Sequence, residues 1–320
     1  MENSKGDRMM GIKLALMKQA ARRARKKVIA DSKKAGAPTG ERFVVPRTGE
    51  KGVETYLYRP KEEEDKLLPV IFNVHGGAWV GNDALYLDTQ SRQMAERLQA
   101  LVVNINYTKA DIKPFPYMQT ETVDTVKYFA KHAAEYSIDR GKMGLMGYSA
   151  GGQICAAAAQ MLKRDKVEIS VQILCYPFLD FTYGNGTQKE LAETVGAVGE
   201  LKELFFPTLD KKDPTCSPGA QKVEDLIGLA PAIIVACGTD PLRVQAQTYG
   251  EKLREAGVPV WEYLYEKAVH GFLEVNYPES VEVNEAKNPE QEKLMEQCQE
   301  DIAERLREIW GLPMEETATV

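Results

Sequence analysis

The 320-residue sequence predicts an α/β fold, a mostly parallel central sheet of about eight strands with helices on both faces. Three observations predict it. Apolar runs recur at 70–74, 101–105, 143–146, 169–176, 233–237 and 260–265 with few polar interruptions, and strands of that kind are the ones buried on both faces of a parallel sheet. Segments of helical periodicity separate most of them, at 84–99, 119–136, 151–162 and 243–256, and another follows at 289–310. Strand–helix alternation is the mark of parallel crossovers. Finally, several apolar runs end in loops bearing Gly, Ser, Asp or His, and such sheets hold their ligands at the carboxyl ends of the strands.

The chain opens on "GIKLALMKQAARRARKKVIADSKK", where Ile12, Leu16, Ala20, Ala24 and Val28 recur at i, i+4. That spacing predicts an amphipathic helix with a narrow apolar stripe. Residues 1–34 carry eleven Lys and Arg against three acids, a net +8, which leaves −14 on the rest of a chain whose total is −6. A basic amphipathic helix can bind an anionic membrane or nucleic acid. Without aromatic anchors for lipid, and with no nucleic-acid module after it, the helix is expected to lie across the acidic body of its own protein.

Next, Glu41–Val45 and Val53–Tyr58 flank a stretch with Pro46, Gly49 and Gly52, which predicts an antiparallel opening pair. The alternation then runs on until 180–230, about fifty residues that are too long for an ordinary connection. The helical pattern of "QKELAETVGAVGELKELFF" inside it predicts an inserted cap that shares a lobe with the N-terminal helix. The expected organisation is a cap helix segment at 1–40, the core at 41–179, the inserted cap segment at 180–230, the rest of the core at 231–312 and a tail at 313–320.

Composition excludes several classes. With 43% hydrophobic and 28% charged residues the chain is neither disordered nor fibrous. No run of about 18 apolar residues is present, and the basic N-terminus lacks the apolar stretch of a secretory signal, so a cytoplasmic protein without a membrane span is expected. The five cysteines are odd in number and widely spaced, as reduced core thiols are. No ligand cluster or dinucleotide fingerprint appears, so neither metal nor organic cofactor is expected. The expected partner is a small molecule and not a nucleic acid, with a homodimer as a candidate assembly.

The chemistry collects at four strand ends. The run at 70–74 leads into His75-Gly76-Gly77-Ala78-Trp79, the run at 143–146 into Gly147-Tyr148-Ser149-Ala150-Gly151, the run at 233–237 into Asp240, and the run at 260–265 into His270. A serine hydroxyl becomes a nucleophile when a neutral imidazole takes its proton, and a carboxylate fixes that imidazole's tautomer. Backbone N–H groups of Gly76, Gly77, Ala78 and Ala150 are candidates to hold an oxyanion. Of the other histidines, His132 reads as structural within a helix, and His75 as a residue that holds the glycine loop by hydrogen bonding. Asp180 is the rival to Asp240 for the acid. Trp79, Tyr148, Phe115, Phe178, Phe181 and Phe272 are candidates to line a substrate pocket, with core packing the default for any one of them.

Taken together, His75-Gly76-Gly77, Phe115-Pro116, Gly147-x-Ser149-Ala150-Gly151-Gly152, Asp213-Pro214 with Ser217-Pro218, Asp240-Pro241-Leu242-Arg243, Ala256-Gly257-Val258 and His270-Gly271-Phe272 resemble the hormone-sensitive-lipase family of α/β-hydrolases, a group of carboxylesterases. The resemblance implies the α/β-hydrolase fold with a helical cap. It also implies a triad of Ser149, Asp240 and His270, an oxyanion hole at Gly77, Ala78 and Ala150, and hydrolysis of short-chain esters. Two positions and one segment depart from the family. Ala78 replaces a third glycine, Tyr148 stands where an Asp commonly precedes the serine, and "NINYTKAD" replaces a Tyr-Arg-Leu-Ala-Pro segment. The last two resemble more distant esterases of acetylated or feruloylated sugars. His-Gly-Gly-x-Trp at 75–79 is also similar to arylformamidases, and the same fold serves as a small-ligand receptor where its histidine is lost.

Overall fold

The computed structural model describes residues 2–61, 66–182, 210–280 and 284–314, with side chains from residue 11 onward. All eight expected strands are present: β1 (Glu41–Val45), β2 (Val53–Tyr58), β3 (Leu68–Val74), β4 (Leu101–Ile105), β5 (Ile138–Tyr148), β6 (Val171–Cys175), β7 (Ala232–Cys237) and β8 (Val260–Tyr265). They form one sheet in the order β1-β2-β4-β3-β5-β6-β7-β8. Strand β2 runs antiparallel to both β1 and β4, and every pairing from β4 to β8 is parallel.

The apolar runs are continuous because both faces are covered. Every residue of β3, β4, β6 and β7 is buried. Along β3, Val70, Phe72 and Val74 join one core while Ile71 joins the other, as the two-residue period of a strand requires. Each such side chain contributes about 1.5–3 kcal/mol by leaving water. The first core is closed by α3 (Tyr117–Lys131), α4 (Ala150–Arg164) and α6 (Arg243–Glu255) through Phe129, Ile154 and Leu253; α5 (Val223–Leu226) adds Leu226. The second is closed by α2 (Asp88–Leu98), α7 (Phe272–Val275) and α8 (Pro289–Trp310) through Leu98, Phe272 and Ile302. Helix α8 has explicit ends. The Asn288 side chain accepts the Glu290 and Gln291 N–H groups, Pro289 opens the first turn, and Gly311 closes the last in the left-handed conformation.

Two expectations are corrected. The predicted helix at 84–99 is a 3-10 turn, Ala84–Leu87, followed by α2. Helix α1 (Glu2–Lys34) forms as expected, but it turns a different face inward. Leu14, Met17 and Ala21 pack on the first core and Val28 and Ile29 on the second, while Ile12 and Leu16 are exposed. A row spaced strictly by four residues winds around an α-helix, because 3.6 residues make one turn, so the expected stripe does not stay on one side. The inward face instead follows mixed steps of three and four and includes Arg25. Its guanidinium binds both oxygens of the fully buried Asp111 carboxylate at 2.8 and 2.9 Å and donates to the Val80 carbonyl. The expected cap helix within 188–206 lies outside the described residues.

Candidate active site

Strand order fixes where a site can form. Strand β3 has β4 on one side and β5 on the other, so the chain changes direction across the sheet there, and a crevice opens at the carboxyl ends of β3 and β5. Those two ends carry the glycine loop and the serine.

Between Tyr148, the last residue of β5, and Ala150, the first of α4, only Ser149 makes the reversal. It does so at φ 51° and ψ −115°, a region that costs a side-chain-bearing residue about 1–3 kcal/mol. The surroundings hold it there. Ser149 N–H donates to Cys175 O at 2.9 Å, and its carbonyl accepts from Gln153 N–H at 3.2 Å. Glycine is required on either side: a Cβ at Gly147 would stand 2.3 Å from Gly151 O, and one at Gly151 would stand 2.2 Å from Val74 O. Ala150 therefore starts a helix whose first N–H groups have no partner within it and carry the positive end of its dipole.

His270 follows β8 and reaches back to this turn. Its Nε2 lies 2.9 Å from Ser149 Oγ and its Nδ1 lies 2.5 Å from Asp240 Oδ2. Asp240 is held in the turn after β7, where Oδ1 accepts the Leu242 N–H at 2.9 Å, and its side chain is 3% exposed. The Asp240 carboxylate accepts a hydrogen bond from the His270 Nδ1–H, which keeps the proton on Nδ1 and turns the Nε2 lone pair toward the serine. Burial opposes charging of His270, but the Asp240 hydrogen bond and charge, with a further contribution from Glu274, hold its pKa above the ordinary imidazole value.

The glycine loop is held from behind. His75 is fully buried and stacks on Tyr107 at 4.4 Å. Burial, and then the Lys109 charge, keep its pKa well below that of free imidazole. The Lys109 ammonium can only donate, so its Nζ bonds the His75 Nε2 at 3.0 Å and the His75 Nδ1–H donates to Gly76 O at 2.6 Å. In a trans peptide the Gly77 N–H points away from that anchored carbonyl. Gly77, Ala78 and Trp79 continue at φ 110°, 48° and 62°, and the turn closes with Gly81 N–H on Gly77 O at 2.7 Å.

Among the expected site residues, the structure brings together Ser149, His270 and Asp240. Asp180, the rival acid, instead accepts Thr182 N–H and Oγ1–H at 2.6 Å each in its own turn. His132 stacks on Tyr128 on α3 and faces Glu135. Gly76, expected among the oxyanion donors, has its N–H engaged by Glu274 Oε1 at 2.9 Å, so that donor is used internally. The expected pocket residues separate into two groups. Trp79 packs against Phe115, Phe178 and Phe181 with centroids 5.2–5.9 Å apart, and its Nε1–H donates to Gln153 Oε1. Tyr148 and Phe272 belong to the second core, on the other face of the sheet.

Lys109, Glu274 and Arg25 were not singled out from the sequence. Lys109 lies in the "NINYTKAD" departure, which was the available signal. Glu274 and Arg25 have none, because a charged residue buried alone leaves no periodic trace.

Fold and elbow together define an α/β-hydrolase. A family model for the alpha/beta hydrolase fold matches residues 71–274. The chain belongs to that family, in its hormone-sensitive-lipase-like branch. Among its relatives, Esterase LipI of Mycobacterium tuberculosis is 30% identical, over 69% of this chain and 71% of its own. Arylacetamide deacetylase of Bos taurus is 34% identical, over 73% of this chain and 75% of its own. The hyperthermophilic esterase of the archaeon Pyrobaculum calidifontis superposes with a TM-score of 0.75 at 24% identity, over 91% of this chain and 93% of that one; at that identity the likeness concerns the fold.

Proposed function

We propose that this ester-hydrolysing enzyme is a serine carboxylesterase acting on short-chain esters, acetyl to butyryl, through an acyl-enzyme on Ser149. The observation that carries the reading is the relay from Ser149 Oγ through His270 to Asp240, at 2.9 and 2.5 Å. Ser149 Oγ attacks the ester carbonyl carbon as His270 Nε2 takes its proton, and Asp240 stabilises the imidazolium. The carbonyl oxygen becomes an oxyanion facing the N–H groups of Gly77, Ala78 and Ala150. As the intermediate collapses, His270 returns the proton to the leaving alcohol. Water, deprotonated by the same nitrogen, then attacks the acyl carbon, and the released carboxylic acid leaves Ser149 as it began.

The short acyl preference is supported by the packing of Trp79 with Phe115, Phe178 and Phe181 beside the glycine loop, and by the methyl of Ala78. For the alcohol half, the Tyr148 and "NINYTKAD" departures favour acetylated or feruloylated sugars. Ser149→Ala should lower kcat on p-nitrophenyl acetate by about 10⁴–10⁶ and abolish fluorophosphonate labelling. A variant that keeps most of its activity overturns the assignment. In a panel of acetyl, butyryl and octanoyl esters with acetylated xylo-oligosaccharides, faster turnover of octanoyl than of butyryl esters would overturn the acyl preference. The relative named arylacetamide deacetylase motivates an amide reading, which an acetanilide matched to its phenyl ester tests in the same panel.

A further inference from the structure

The glycine loop rests on a buried carboxylate that the triad does not use. Glu274 lies on α7, four residues after His270, and is 5% exposed. Its Oε1 accepts the Gly76 N–H at 2.9 Å, and its Oε2 accepts the Tyr176 hydroxyl at 3.3 Å. The space for it is built into the loop. A Cβ at Gly76 would come within 2.9 and 3.0 Å of the two carboxylate oxygens and 3.2 Å of Tyr148 O. Gly76 is therefore a glycine so that the carboxylate can approach, and not for backbone freedom. The peptide on its other side is fixed by His75. The first glycine of the loop is thus gripped at its N–H by α7 and at its carbonyl by His75, the residue that follows β3.

We propose that Glu274 is a positioning residue for this reaction: it sets the backbone of the glycine loop through the Gly76 N–H and places a negative charge behind His270. The proposal rests on Ser149, Asp240 and His270 acting as the triad. Where the family commonly has an Asp before the serine, this chain has a fully buried tyrosine, and the carboxylate at the glycine loop comes from Glu274, on the histidine's own segment. Among the described residues, Asp240 and Ser149 bond the His270 ring, Tyr176 lies beside it with its centroid 5.0 Å away, and Glu274 stands behind Tyr176, whose hydroxyl bonds Glu274 Oε2 at 3.3 Å. Of these, Glu274 alone also bonds the glycine loop.

Two substitutions separate its roles. Glu274→Gln keeps an acceptor for Gly76 but removes the charge, whereas Glu274→Ala removes both. With p-nitrophenyl acetate, Glu274→Ala is expected to lower kcat by about 10–100-fold with KM within about twofold, somewhat less than loss of an oxyanion donor itself. Glu274→Gln is expected to recover most of that loss and to move the acid limb of kcat/KM to lower pH, because a positive imidazolium loses a favourable neighbour. Equal losses in the two variants with an unmoved acid limb would mean a packing role and would overturn the proposal. So would wild-type kcat in Glu274→Ala. Should Glu274→Ala fail to fold, the Glu274→Gln limb decides alone: a shift supports the charge behind His270, and no shift overturns it. Ser149→Ala assayed alongside keeps the two readings apart. An active Ser149→Ala overturns the triad, whereas an inactive one beside unaffected Glu274 variants overturns only the role of Glu274.

Discussion

Asp240 divides its two oxygens between architecture and chemistry. Oδ1 holds the Leu242 N–H and Oδ2 faces His270, so the turn after β7 and the histidine's tautomer are set by one side chain. The pH dependence follows. With His270 as the proposed base, its protonated form cannot accept the serine proton, so the rate is expected to fall as pH drops through its pKa. That pKa is raised, which puts the acid limb of kcat/KM above the reference value of about 6.5. Asp240→Asn should move the limb down and cost about 10⁴ in kcat; a wild-type limb below about pH 6 would contradict the electrostatics. At this scale the sequence was informative where chemistry demands rare residues at the end of an apolar run. With three histidines in the chain, only His270 follows the last strand. The pairings of Lys109 and Glu274 were illegible because their partners, His75 and Gly76, are 34 and 198 residues away in sequence; the "NINYTKAD" departure marked the segment of Lys109 but not its partner.

Helix α1 shows how an element can be legible in kind and illegible in orientation. Its helical character and charge came through, but it begins nine residues before the stretch that predicted it, and its inward face includes Arg25 on Asp111 and Val80, a polar contact that apolar periodicity does not register. Asp111 is fully buried, and Arg25 is 11% exposed. Asp111→Ala would leave that guanidinium largely buried without its carboxylate, at a cost of up to about 3 kcal/mol, the low end for breaking a buried pair. The expected readout is faster amide exchange across α1 with the strands still protected. Unchanged exchange in α1 would show that its apolar contacts suffice to hold it.

Across the whole molecule, the eight strands were legible, but their order was not. Apolar runs announce burial on both faces, whereas the placement of β3 between β4 and β5 depends on how crossovers pack, which no single run encodes. The five cysteines are all buried and free. Burial pushes the Cys216 thiol up to about 12, and the other four are raised by the same cause. A thiol reagent at pH 8 should modify none of them in the native protein and all five after denaturation, and rapid modification without unfolding would contradict the packing. The contact of Gly151 with the Val74 carbonyl, too close for any side chain, also bears on how such a protein can diversify. It joins the elbow to the end of β3 backbone against backbone, so the position of the turn that presents Ser149 is tied to the strand that leads into the glycine loop. Substitutions in the surrounding loops can then accumulate while the geometry that sets Ser149 against the glycine loop is inherited intact.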